Sequence, residues 1–211
     1  MPEYLDLETW NRRDHFRYFR EYAKPFFNVS THIDVTKVFD RSRRTGGPSF
    51  FLTTLYLSLK SANAVKQLRY RIRGDRVRVH DVIHARSTVL RDDETFCFAH
   101  FDYSPDFPRF QDQALKVLGV ARTGGIFEPR RSQDDLIHYT IIPWISFSGV
   151  SHPLRGGEDS IPKIVFGKHY AEGSTRMMPV AVEVNHALVD ALHVGRFLDR
   201  FQDELATASF D

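Results

Sequence analysis

Between Val182 and Phe197 the chain reads VEVNHALVDALHVGRF, with His186 and Asp190 four residues apart. A neutral imidazole donates from one nitrogen and accepts on the other, so fixing the donor side offers the acceptor side to a substrate as a general base. A carboxylate one helical turn further on needs a cationic partner if it is buried, because an unpaired buried charge is expensive. The His-x-x-x-Asp spacing alone does not separate a catalytic imidazole from a structural one. Other catalytic patterns are missing. The chain has no phosphate-cradling Gly-rich loop and no HExxH. Ser146, Ser148 and Ser151 lack the GxSxG context of a nucleophile elbow. Ten scattered His and the single Cys97 argue for no metal site and allow no intrachain disulfide.

The elements that position His186 follow from the pattern around it. Met177 to Val184 reads as a strand, Asn185-His186 sits at its edge, and Leu188 to Leu205 reads as a closing amphipathic helix. Leu192, Phe197, Leu198, Phe201 and Leu205 make its apolar stripe. Upstream, Leu7 to Tyr22 predicts a helix, Phe27 to Val35 an alternating strand, Arg41 to Pro48 a basic loop, and Ser49 to Val65 a buried helix. Tyr70 to Ile72 and Arg76 to His80 predict a hairpin around Gly74-Asp75. Strands are expected at Val82 to Leu90 and Thr95 to Phe101, then a helix from Pro105 to Val120 and a polar loop from Thr123 to Asp135. Ile137 to Phe147 predicts a strand broken by Pro143, Ser151 to Ser160 a Gly-rich loop, and Lys163 to His169 a strand. Helices at both ends, around many strands without regular β-α alternation, predict an α+β fold: a two-layer sandwich with a large mixed β-sheet flanked by helices.

Composition bounds the rest. The 211 residues fit a single domain spanning 1–211, since one core usually suffices below roughly 250 residues, and no repeat or linker interrupts the chain. A hydrophobic share of 42% excludes wholesale disorder. Twenty-nine Lys+Arg against 27 Asp+Glu leave a net charge of +2, which gives no reason to expect nucleic acid or an anionic membrane as partner. The charged start lacks a signal peptide's apolar region, and no run approaches the roughly 20 residues of a membrane helix, so a soluble cytoplasmic protein is expected. The 18 Phe indicate either an aromatic core or an aromatic-lined site.

The segment VEVNHALVDALHVGRFLDRFQ resembles the signature of the chloramphenicol acetyltransferase family, a strand, then His-His-Ala-Val-Cys-Asp-Gly-Phe-His-Val, then a helix. WNRRDHF at Trp10 to Phe16 resembles that family's N-terminal Trp-x-Arg-Arg/Lys-Glu-His-Phe, and THIDVTKV at Thr31 to Val38 its Ile/Leu-Asp-Ile-Thr strand. RYRIRGDRVRVHDVIHARSTV, DETFCF, IIPWISFSGV and IPKIVFGKHYAEGSTRMMPVAVEV resemble further family segments in the same order. The resemblance therefore covers nearly the whole chain.

It implies a CoA-dependent acyltransferase fold, a homotrimer with active sites between subunits, and acetyl transfer from acetyl-CoA to a small-molecule hydroxyl acceptor. On that resemblance His186 is the general base, and Asp190 pairs with Arg12 to hold the catalytic turn. Phe19, Phe27 and Phe96 map onto the acceptor pocket, and Lys168 onto a lysine near the CoA nucleotide. Three departures are visible. The family's oxyanion-stabilising serine maps onto Gly149, with Ser148 beside it but facing away if the segment is a strand. A water-ordering threonine maps onto Val165. Asn185 replaces the first His of the family pair, and Ala191 the Gly after its Asp. The resemblance thus implies an acetyltransferase that confers antibiotic resistance or acetylates another hydroxyl compound. The alternative is a family-fold protein with weakened or no transfer that binds a CoA thioester or acts on a different acceptor. A 2-oxo acid dehydrogenase acyltransferase core shares the His-x-x-x-Asp turn and ranks last.

Overall fold

The computed structural model describes residues 3–124, 133–153 and 159–209. Its first half runs β1 (Glu3–Tyr4), α1 (Arg13–Phe19), β2 (Phe26–Asp34), α2 (Thr36–Ser42), α3 (Phe50–Ala64), β3 (Tyr70–Arg73) and β4 (Arg76–Val79). Then come β5 (His84–Leu90), β6 (Phe96–Phe101), α4 (Phe107–Gly124), β7 (Leu136–Ile142), β8 (Lys163–Gly167), β9 (Tyr170–Glu172), β10 (Thr175–Asn185) and α5 (Ala191–Thr207). One sheet is ordered β2-β10-β8-β7-β5-β6, with β9 beside the start of β10. β10 runs antiparallel to β2 and β8, whereas β7 is parallel to both β8 and β5. The sheet is mixed and helices flank it, as the pattern predicts. The return from β5 to its parallel neighbour β7 passes through β6 and α4, the long crossover that parallel pairing requires. β1, β4 and β3 form a separate small sheet, whose hairpin turns at Gly74 with φ +56°, a conformation glycine adopts without strain.

Side chains alternate across a strand, so the register sorts them onto two faces. On one face Val180 and Val182 of β10 lie opposite Phe166 and Ile164 of β8, with Tyr139 of β7 next in line. Helices cover this face. Phe201 of α5 stacks on Phe166 with centroids 5.9 Å apart, Ser58 of α3 shares a 3.0 Å hydrogen bond with the Tyr139 hydroxyl, and the Cys97 thiol donates to Ala121 of α4. The other face carries a row of polar side chains, Glu183, Lys163, His138 and Arg86, on adjacent strands. The described residues that follow β7, up to His152, lie along it. Phe147 fills the space where a Cβ on Gly167 would stand, and His152 Nδ1 is 3.6 Å from Glu183 Oε1.

That polar row has a pH signature. Burial, with Arg86 and Lys163 adding to it, pushes His138 down to about 2. The unfolded chain takes up this proton near pH 6.5 while the native chain does not, so stability falls as pH drops below that value. The contribution is at most one proton, about 1.4 kcal/mol per pH unit. Replacing His138→Asn is expected to flatten the pH dependence of unfolding free energy by that amount, measured by urea denaturation between about pH 7 and pH 5. Identical slopes for both proteins would mean that folded His138 takes the proton.

Several elements depart from expectation. α1 begins only at Arg13, because Asp6 accepts hydrogen bonds from the Glu8 N–H and the Thr9 hydroxyl and holds the preceding residues in turns. The basic loop expected from Arg41 starts later, since Arg41 and Ser42 close α2, a helix begun where Asp34 Oδ1 accepts the Thr36 N–H at 2.8 Å. β7 stops at Ile142, immediately before Pro143, instead of continuing to Phe147. Leu192 leaves the apolar stripe of α5 and stands 61% exposed. Parts of the loops expected at Thr123 to Asp135 and Ser151 to Ser160, residues 125–132 and 154–158, lie outside the described residues.

Candidate active site

β10 ends at Asn185, and the four residues to Val189 form a turn rather than the start of a helix. Asp190 is the extended N-cap of α5, so His186 and Asp190 belong to a turn and a cap, not to one helical face. Asn185 organises the turn. Its Oδ1 accepts the Ala187 N–H at 2.9 Å, and its carbonyl accepts from Leu188 and Val189. The His186 N–H donates to Pro25 at 2.6 Å, which ties the turn to the approach to β2.

The ring of His186 is fixed by acceptors. Its Nδ1 lies 3.2 Å from the Val189 carbonyl and 3.2 Å from Asp190 Oδ1. Neither oxygen donates, so the proton sits on Nδ1 and Nε2 keeps its lone pair. The ring stacks on Phe19 at 4.0 Å and leans on Phe27 at 4.8 Å between centroids. About a third of the side chain (35%) remains exposed, so a substrate has access to it.

Arg12 holds the other side of the turn. Its Nη1 pairs with Asp190 Oδ2, and Nη2 donates to the His186 carbonyl at 3.1 Å. Arg12 is only 7% exposed, and burial lowers the pKa of its guanidinium. One carboxylate therefore bridges a buried cation and the imidazole.

Of the residues the sequence nominates, the chain brings together His186, Asp190, Arg12, Phe19 and Phe27. The others stand elsewhere. Phe27 lies opposite Val184, on the face covered by helices, and His186 packs at that end. Ser148 and Gly149 belong to the segment running along the opposite face, between Phe147 at Gly167 and His152 at Glu183. Both are exposed, and neither is in a strand, so the alternation that would turn Ser148 away does not apply. Phe96 lies on β6, the far edge strand, and is 45% exposed. Lys168 follows the far end of β8, where its N–H donates to Ile145 at 2.8 Å. That end pairs near Pro179, seven residues and roughly 23 Å of strand from His186.

Three contributors escaped the sequence reading. The Pro25 and Val189 carbonyls carry no residue-type signal, because any amino acid offers the same acceptor. His193 does carry one: it is the third residue after the Asp190 cap, the position from which a capping-box side chain reaches back.

A family model described as chloramphenicol acetyltransferase matches residues 3–202. The chain belongs to the chloramphenicol acetyltransferase family. It is 30% identical to the chloramphenicol acetyltransferase of Streptomyces acrimycini over 97% of this chain and 94% of that protein. Chloramphenicol acetyltransferase 3 of Escherichia coli is 27% identical over 94% of each. A solved chloramphenicol acetyltransferase structure superposes with a TM-score of 0.88 and 25% identity, covering 97% of this chain and 100% of that one. The dihydrolipoamide acetyltransferase of Azotobacter vinelandii, with a TM-score of 0.71 and 12% identity over 92% of this chain and 86% of that one, shares the fold. Membership of the chloramphenicol acetyltransferase family makes the protein an acyltransferase. The fold is that of CoA-dependent acyltransferases.

Proposed function

We propose that the protein transfers an acetyl group from acetyl-CoA to a hydroxyl of a small-molecule acceptor, with His186 as general base. The observation that carries this reading is the placement of two acceptors on His186 Nδ1, which leaves Nε2 as the free base of a ring about one third exposed, packed by Phe19 and Phe27. The acceptor hydroxyl gives its proton to Nε2 as its oxygen attacks the thioester carbonyl carbon. The tetrahedral oxyanion collapses, the C–S bond breaks, and the leaving sulfur takes the proton back from the imidazolium. The products are an acetyl ester and free CoA. Asp190 faces the Nδ1–H and stabilises the imidazolium, while Arg12 keeps Asp190 and the His186 carbonyl in register.

We read the assembly as a homotrimer with sites between subunits. His186 borders the helix-covered face, whereas Gly149, Ser148 and Phe96 lie away from it, so one chain alone does not surround an acceptor with all of them. Exposed Trp144 (62%) and Ile145 (59%) beside that segment suit burial against a second copy. Lys168 at the far end of β8 is the contact we assign to the CoA nucleotide. We read residues 1–211 as one domain, and the lone buried Cys97 fits a cytoplasmic protein.

Chloramphenicol is the first acceptor to test, since the relatives are named for it. Release of the CoA thiol, followed with chloramphenicol and a panel of other hydroxyl compounds, is expected to show turnover with at least one. The second reading, a family-fold protein with weakened transfer, is favoured by Gly149 and by the fully buried Val165 of β8, which stand where the resemblance expects Ser and Thr. Calorimetric binding of acetyl-CoA without turnover of any acceptor would support it.

The two readings meet in one variant. A Cβ built on Gly149 meets nothing within 4 Å, so Gly149→Ser fits without strain. Restoring an oxyanion donor is expected to raise kcat by about 10-fold or more, with melting temperature unchanged. No gain in rate would mean that another donor already serves the oxyanion.

A further inference from the structure

His193 has no part in the chemistry above, yet it is among the most enclosed groups near the site, at 7% exposure. Its Nδ1 lies 2.9 Å from the backbone N–H of Asp190. A backbone N–H only donates, so Nδ1 accepts, and His193 carries its proton on Nε2. The return bond runs from the His193 N–H to the Asp190 carbonyl at 2.9 Å. Asp190 is thereby held through both of its backbone polar groups, in the manner of a capping box whose usual Glu or Gln is replaced by an imidazole.

We propose that His193 is a positioning residue whose neutral imidazole locks the Asp190 cap and, through it, the tautomer of His186. The proposal rests on His186 being the base and goes beyond it, by assigning the orienting shell to a second histidine. Three groups lie in series. His193 fixes the backbone of Asp190, the Asp190 carboxylate faces His186 Nδ1, and Nε2 of His186 is left as the acceptor. A cap that rotates by one rotamer well takes the carboxylate off Nδ1 and leaves the Val189 carbonyl there, a weaker, uncharged acceptor that lets the imidazole sample both tautomers.

The arrangement holds only while His193 is uncharged. The charged groups around it are Arg12 just ahead of α1, and Asp190 and Arg196 at the start of α5. Burial first, then Arg12 and Arg196, hold His193 below the usual histidine range. Protonation would replace the Nδ1 lone pair with a donor facing the Asp190 N–H and set a third cation beside two arginines. His186 must also be neutral to act as base. Activity on the acid side therefore depends on both histidines being uncharged, so two protons shape that limb.

The experiment uses the full chain labelled with ¹⁵N-histidine. Long-range ¹H–¹⁵N spectra are expected to show His193 protonated at Nε2 and His186 at Nδ1. In His193→Gln, which keeps an acceptor at the capping position, His186 is expected to remain protonated at Nδ1. In His193→Leu its signals are expected to average between tautomers. In turnover, His193→Leu is expected to lose about 10-fold in kcat, with KM for acetyl-CoA and acceptor within about twofold. His193→Gln is expected to recover to within about threefold, with an acid limb of one proton in place of two. A His193 protonated at Nδ1, or a leucine variant with the wild-type His186 tautomer and kcat, would overturn the proposal. If the leucine variant does not fold, the wild-type spectra and the glutamine acid limb decide. If no acceptor is turned over, the spectra still judge His193, whereas that failure counts against His186 as base.

Discussion

Replacing His186→Ala is expected to lower kcat by about 10³-fold, within the range of 10²–10⁴ that a positioned acid–base group contributes. The loss follows from geometry. Nε2 is the ring atom left with a free lone pair, because Nδ1 faces the Val189 carbonyl and the Asp190 carboxylate. Alanine removes the base while leaving the backbone bonds to Pro25 and Arg12 in place, since both use main-chain atoms of residue 186. KM for acetyl-CoA is therefore expected to hold nearly constant. Stability should fall only modestly, by about 0.5–1.5 kcal/mol for the lost stacking on Phe19. Steady-state release of the CoA thiol measures the effect. Equal kcat in wild type and variant would remove His186 from the mechanism.

The second large effect concerns the ion pair, and the structure sets its direction. Were Asp190 the buried partner, the larger cost would fall on Arg12→Ala. The burial is the reverse: the Arg12 side chain is 9% exposed and that of Asp190 33%. Asp190→Ala strands a buried guanidinium and is expected to destabilise by about 3–5 kcal/mol. Arg12→Ala leaves a carboxylate that water reaches, so its expected cost is smaller, about 1–3 kcal/mol. Asp190→Ala should also lower kcat, because it takes an acceptor from His186 Nδ1. Urea unfolding of the two variants side by side checks the order, and a larger loss for Arg12→Ala would contradict it.

Much of the architecture was legible because local pattern carries it. The alternation in Phe27 to Val35, the apolar length of Ser49 to Val65 and the Gly74-Asp75 turn each sit within a residue or two of the observed element. Misreadings arose where a side chain intervenes. Asp6 holds turns in place of the first part of the expected helix, and Asp34 starts α2 between the expected strand and the expected loop, where the pattern assigns no element. Leu192 shows the limit of periodicity, since its position on the stripe did not make it face the core. At the site, the His-x-x-x-Asp spacing was visible but its geometry was not. Four residues read as one helical turn, whereas Asn185 closes a separate turn and Asp190 begins the helix.

By itself the sequence determined that a histidine and an aspartate stand where a long strand gives way to a closing helix, and that motifs spread along the chain resemble one acyltransferase family. Those are properties of neighbouring residues and of their order. Tertiary structure alone decided that Arg12 meets Asp190 across 178 positions, that Arg12 is the more buried of the two, and that two acceptors face His186 Nδ1. It also decided that Gly149 and Phe96 lie away from His186. The reason is register: which strand neighbours which, and which face each side chain takes, are fixed by packing between distant segments, and no local spacing encodes them.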